Sequence, residues 1–145
     1  MAHVIFYEKP GCINNAKQKE WLEAAGHTIE AYNILEHPWE PEDLCTFLQG
    51  DDPANWFNRT APAIKQGKLT PERFGAHEAL AAMVVSPILI RRPLMQIGEV
   101  KLQGFEQETL DRLIGLAPTP GAEETVDQLR NDDLARCPQA ATNCG

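Results

Sequence analysis

Cys12 is the residue in this sequence best placed to do chemistry. It stands in the run Lys9-Pro10-Gly11-Cys12-Ile13-Asn14-Asn15-Ala16-Lys17, after an apolar stretch at 3–7 and before a helical pattern that ends near Gly26. The first N–H groups of a helix lack intrahelical partners, and the helix dipole places partial positive charge there. Both effects favour a thiolate, and both favour a bound oxyanion. The plainer alternative is a small hydrophobe at a strand-to-helix junction. Asn14 and Asn15 offer donors to an anion at the same place, although asparagine at a helix start is also an ordinary cap.

The other thiols and the histidines form no recognisable site. The cysteines at 12, 45, 137 and 144 include no Cys-x-x-Cys pair, and the four histidines are scattered, so no metal site is expected. Cys45 flanks an apolar helical face and reads as buried packing. Cys137 and Cys144 read as incidental thiols, with a resolving role for Cys12 left open, since an extended chain reaches about 3.3–3.6 Å per residue. Asn58-Arg59-Thr60 fits a glycosylation acceptor, a match without meaning in a chain that shows no signal peptide.

A chain of 145 residues with 43% hydrophobic and 23% charged residues reads as one soluble globular domain. Its net charge of −8 disfavours nucleic acid and anionic membranes as partners. No apolar run approaches the roughly 20 residues of a membrane span. The N-terminus enters strand-like sequence at once, without a basic n-region, so a cytoplasmic location is expected.

The elements that must position Cys12 follow from periodicity. The run at 4–7 is apolar on both faces, as in a central strand. Gln18, Trp21, Leu22 and Ala25 then share one helix face, with Lys17, Glu20 and Glu23 turned away and Gly26 as the residue after the cap. A second strand at 27–34 completes a βαβ unit with a parallel pair. Pro41 opens a helix bearing Leu44, Phe47 and Leu48, Asp52 caps a further turn, and Trp56 and Phe57 read as buried. Another helix spans 77–85 and stops at Ser86-Pro87. Gly98-Glu99 joins two short strands as an antiparallel hairpin, and a helix spans 105–116. Residues 117–145 read as an acidic, flexible tail, with a short helix near 122–134 as the alternative. This order, β-α-β, helices, β-β-α, is that of an α/β thioredoxin/glutaredoxin-like fold. There the first strand leads directly to a redox cysteine.

Three segments resemble the arsenate reductase (ArsC) family, thioredoxin-fold proteins with a helical insertion. They are Phe6-Tyr7-Glu8-Lys9-Pro10-Gly11-Cys12, Phe57-Asn58-Arg59, and Ser86-Pro87-Ile88-Leu89-Ile90-Arg91-Arg92-Pro93-Leu94. The resemblance covers about residues 3–116, with the insertion at about 37–86, and within the family it points to the nitrogenase-associated protein subgroup. It implies that Cys12 is the nucleophile, that Arg59 and Arg92 bind the anion, and that Pro93 follows a cis bond. Guanidinium groups bind tetrahedral oxyanions through several hydrogen bonds at once, and N–H groups from Gly11 to Asn15 would act as a nest. Lys17 and Arg91 read as solvated.

The sequence also departs from the reductases. They commonly carry Cys-x-x-Ser-Arg, where this chain has Asn15 and Ala16. The family's third arginine falls near Lys101, Gln103 or Gly104. Two functions follow from the resemblance. One is a single-cysteine thiol oxidoreductase or oxyanion-binding protein, with glutathione or glutaredoxin as external reductant and no bound cofactor. The other is a non-catalytic accessory or regulatory protein that binds a nitrogen-fixation partner. An interaction module acting through its acidic tail is a third reading.

Overall fold

The computed structural model describes residues 1–48, 50 and 52–130. Strand β1 (His3–Glu8) leads through the Cys12 loop into helix α1 (Ile13–Ala24), and β2 (Thr28–Asn33) returns parallel to β1. Helices α2 (Pro41–Cys45), α3 (Pro62–Lys65) and α4 (Ala76–Val85) form the insertion, with 3-10 turns at Pro53–Trp56, Pro71–Arg73 and Pro87–Leu89. The hairpin β3 (Leu94–Ile97) and β4 (Val100–Gln103) follows, then α5 (Gln107–Leu113) and α6 (Glu123–Arg130). The order β2-β1-β3-β4 makes β1 central, as its two apolar faces require.

Local signals account for most boundaries. α1 ends in a Schellman motif: Gly26 N–H donates to Glu23 O, His27 N–H donates to Leu22 O, and Gly26 supplies the positive φ. Prolines 41, 53, 62, 71 and 87 each open a helical turn, where a fixed φ helps and the missing N–H costs nothing. Asp52 caps its turn through Oδ1, which accepts from Ala54 N–H at 3.1 Å.

The sheet divides two cores. Val4, Phe6 and Met95 face one side, against Trp21, Leu22, Phe105, Leu110 and Leu116. Leu94 and Tyr7 face the other, against Ile34, Trp39, Leu44, Phe47 and Phe57 of β2's end and the insertion. This alternation follows from the period of two along a strand.

Two expectations are corrected here. The domain does not stop at 116. Thr119 donates from both N and Oγ1 to Ala24 O (2.8 and 3.0 Å), and α6 returns along α1, burying Val126 and Leu129 in the core. The guanidinium of Arg130 lies 5.4 Å from the Trp21 ring centroid. Val126 and Leu129, three apart, share the inward face of α6, and its acidic residues Glu123 and Glu124 are exposed. The rest of the expected tail, with Cys137 and Cys144, lies outside the described residues. Cys45 is the second correction. It is exposed, because α2 turns only Leu44 inward, and its Sγ–H donates to Glu42 O at 3.2 Å. Among the described residues no helix is long and apolar enough to cross a membrane.

Candidate functional site at the cysteine loop

The loop between β1 and α1 is closed by its own hydrogen bonds. Cys12 N–H donates to Lys9 O at 3.1 Å, across a turn in which Gly11 has φ +85°. Ala16 N–H donates to Cys12 O at 3.1 Å, making Cys12 the N-cap residue. Asn15 locks this turn from below. Its Oδ1 accepts from Lys9 N–H at 3.2 Å and its Nδ2 donates to Gln18 Oε1 at 2.9 Å. Asn14 and Asn15 are both buried. The side chain of Asn15 therefore holds the loop and does not cap the helix, whose N-cap Cys12 has no side-chain cap bond.

Cys12 is 3% exposed, yet it lines an open cleft of about 520 Å³. The cleft is shared with Glu8, Gly11, Ala16, Lys17 and Lys19. Lys19 Nζ pairs with Glu8 at 2.8 Å. Lys17 is half-buried against the cleft, a correction to its reading as a solvated residue. Glu8 and Lys19 escaped sequence reasoning altogether. For Lys19 the available signal was spacing, since it follows Ala16 by three residues on the same helix.

The second half of the site is the arch before β3. The Arg92–Pro93 peptide bond is cis, as the resemblance implied. Leu94 pairs with Tyr7 in the β1–β3 register, so Pro93 and the Cys12 loop leave the sheet at the same end. Arg92 is 8% exposed. Three links tie the arch to the insertion: Arg91 N–H donates to Trp56 O (2.9 Å), Asn58 N–H donates to Leu89 O (2.7 Å), and Phe57 bridges Ile90.

Of the three positions near the family's third arginine, Gln103 alone sends a side chain to this arch. Its Nε2 donates to Trp56 O at 3.0 Å and to Arg91 O at 3.1 Å. Lys101 turns instead to Thr46 Oγ1 and the Phe47 ring. Gly104 donates its N–H to Pro93 O at 2.8 Å and makes room for Arg91, whose Nη1 occupies the space a Cβ would need. Arg91 is thus half-buried rather than solvated, and its Nε donates to Asn55 O at 2.8 Å. Burial pulls its guanidinium below the usual pKa, opposed by Glu106.

Arg59 is placed elsewhere. Its Nη2 donates to Glu72 at 2.7 Å, with both side chains about half exposed. That bond holds the Glu72 carboxyl below its ordinary pKa. Neither Arg59 nor Arg92 is among the residues lining the Cys12 cleft. The structure brings Cys12, the lysines and the cis-proline arch to one end of the sheet and leaves Arg59 in a surface pair.

The clamp made by Gln103 can be tested directly. Gln103→Leu removes the side-chain donor to Arg91 O in a buried setting, while Trp56 O keeps Arg91 N–H. Loss of one buried partner costs about 1–3 kcal/mol, read as a fall in the urea midpoint at unchanged slope. An unchanged midpoint would show that the arch holds without the clamp.

Comparison with known proteins gives both a fold and a family. No protein-family model matches the chain. A protein from Bacteroides fragilis described as ArsC-family-related superposes with a TM-score of 0.66 at 24% identity, covering 77% of this chain and 98% of its own. An arsenate reductase from Vibrio cholerae gives 0.61 at 18% identity, over 79% of this chain and 98% of its own. The fold is the thioredoxin-like fold of the ArsC proteins. An uncharacterized 15.7 kDa protein in the draG 3′ region of Rhodospirillum rubrum is 45% identical, across 99% of this chain and 93% of its own length. The chain belongs to one family with that Rhodospirillum protein. This chain thus sets Asn15, Ala16 and Gln103 on an ArsC-type scaffold.

Proposed function

We propose that the chain is a single-cysteine thiol oxidoreductase or oxyanion-binding protein, linked to glutathione or glutaredoxin and associated with nitrogen fixation. The observation that carries this reading is the position of Cys12. It is the N-cap of α1, at the wall of a cleft that also holds Lys17 and Lys19, on the sheet end shared with Arg92 and Pro93. A helix N-terminus and the Lys17 ammonium attract an oxyanion and favour a nucleophilic thiolate, while the Lys19 charge is offset by Glu8. With arsenate, the Cys12 sulfur would form an S–As bond as an oxygen departs as water. Two external thiols would then supply two electrons, leaving as a disulfide while a second oxygen leaves as water and arsenic(V) becomes arsenic(III), and water would finally cleave the S–As bond, releasing arsenite and restoring the Cys12 thiol. The nitrogen-fixation link is supported by the draG neighbourhood in the name of the Rhodospirillum relative.

A second reading, a non-catalytic accessory protein that binds a partner, is favoured by the arginine pattern. Arg59 is committed to Glu72, and neutral Gln103 stands near the third arginine's place. The test that separates them is arsenate reduction with glutathione and glutaredoxin, wild type beside Cys12→Ser, with intact-mass detection of an arsenic adduct at Cys12. Turnover above the variant, with the adduct, is the expected result. Equal rates and no adduct would remove the oxidoreductase reading and leave the accessory one.

A further inference from the structure

The charge of this chain is unevenly placed. Residues 20–58 contain nine Asp and Glu and no Lys or Arg, a net −9 against −8 for the whole chain, so the remainder nets +1. Five of those carboxylates, Glu30, Glu36, Glu40, Glu42 and Asp43, lie along β2, the following loop and α2, and all five are exposed. The same segment carries an aromatic cluster. The Tyr7 ring centroid lies 5.7 Å from Tyr32, 5.0 Å from His37, 5.0 Å from Trp39 and 5.6 Å from Phe47. Tyr32 is 43% exposed, and it stands on β2, an edge strand of the sheet.

We propose that exposed Tyr32 and half-buried Tyr7, backed by the buried rings of Trp39 and Phe47 and rimmed by Glu30 and Asp43, form a docking face for a protein partner that presents a Lys- or Arg-rich segment. Aromatic faces attract ammonium and guanidinium groups, and nearby carboxylates add to the attraction and steer the encounter. The carboxylates are close enough to act on the rings. Tyr32 Oη donates to Glu30, and Glu30 and Asp43 hold the Tyr7 hydroxyl above its ordinary pKa, after burial as the larger cause. His37 is held below its ordinary value by burial, against Asp43, so no positive charge from it competes near neutrality. The chain also supplies an internal example: Lys101 Nζ lies 5.1 Å from the Phe47 ring centroid at this cluster's border. A second copy docking through the same face would bring five carboxylates against five, which like-charge repulsion opposes. The proposal does not depend on the chemistry of Cys12.

The full chain can be titrated against a fluorescein-labelled peptide rich in Lys and Arg, read by anisotropy at low and high salt. Glu30→Gln with Asp43→Asn is expected to weaken binding by about tenfold or more. Glu99→Gln with Glu108→Gln, an equal charge change at exposed sites away from the rings, is expected to have little effect. Tyr32→Ala is expected to weaken binding at unchanged charge, with far-UV dichroism confirming the fold. Equal loss from both charge pairs, or no effect of Tyr32→Ala, would overturn the docking face in favour of diffuse electrostatics. Spermine binding as tightly as the peptide would overturn the protein partner in favour of a small polycation. Self-association that the Tyr32 variant abolishes would overturn it in favour of a second copy.

Discussion

A chain ending at Leu116 is expected to lose most of its stability. The cut removes Thr119, whose N–H and Oγ1 both bond Ala24 O at the end of α1, and it removes α6. Val126 and Leu129 are 1% and 4% exposed in the core that contains Trp21, Phe105 and Leu110. Burial of two such side chains contributes about 3–6 kcal/mol. A domain of this size has a net stability of only about 5–15 kcal/mol. Trp21 is also uncovered, since Arg130 lies over its ring and its Nε1–H donates to Leu116 O at the new terminus. Urea unfolding followed by far-UV dichroism should show a much lower midpoint or no cooperative transition. Leu129→Ala in the full chain isolates the contribution of α6, with an expected cost of about 2–5 kcal/mol. A truncated chain that keeps the full-length midpoint would show that α6 rests on the domain without supporting it.

The same helix shows where sequence reasoning stops. Strand β1, the end of α1 at Gly26, the Gly98-Glu99 hairpin and the place of Cys12 were legible because each rests on a local pattern. A run apolar on both faces, a glycine at a positive φ and a two-residue turn are all short-range signals. α6 has only Val126 and Leu129 on its inward face, among five acidic residues at 123–133, and nothing local says that α1 leaves a surface for it. The surface pairing of Arg59 was hidden for a related reason. Its partner Glu72 lies thirteen residues away, on a different turn of the insertion, and a surface ion pair leaves no periodic trace. Arg91 and Arg92 are neighbours with different surroundings. The room beside Gly104 that half-buries Arg91 is created by β4, far along the chain. Gln103 was one of three candidates until strand register chose among them. Leu94 pairs with Gln103, which brings that side chain to the arch.

Asn15→Leu is expected to weaken the fold and loosen the Cys12 loop together. Asn15 is 2% exposed, and its side chain makes one bond up to the loop and one down the helix. Leucine fills a similar volume but leaves Lys9 N–H without that acceptor and Gln18 Oε1 without that donor. Two partly or fully buried bonds lost in this way cost about 2–4 kcal/mol. The loop should open with them, because Lys9 supplies both the N–H held by Asn15 and the carbonyl that accepts from Cys12 N–H. In a chain with Cys45→Ser, Cys137→Ser and Cys144→Ser, alkylation of Cys12 should then be faster than with Asn15 in place, since the 3% exposed thiol gains access. Asn15→Asp separates the two bonds. Its carboxylate still accepts from Lys9 N–H but offers no donor to Gln18 Oε1 and loses its hydration at a 2% exposed position, so a stability loss no smaller than that of leucine is expected. It also places a negative charge in the first turn beside Cys12, where it competes with a thiolate or oxyanion for the same positive potential. Stability should therefore rank Asn15 above both variants, while Cys12 reactivity ranks Leu above Asn15 and Asp below both. Faster alkylation in the Asp variant than with Asn15 in place would show that Asn15 acts on the thiol only through the fold.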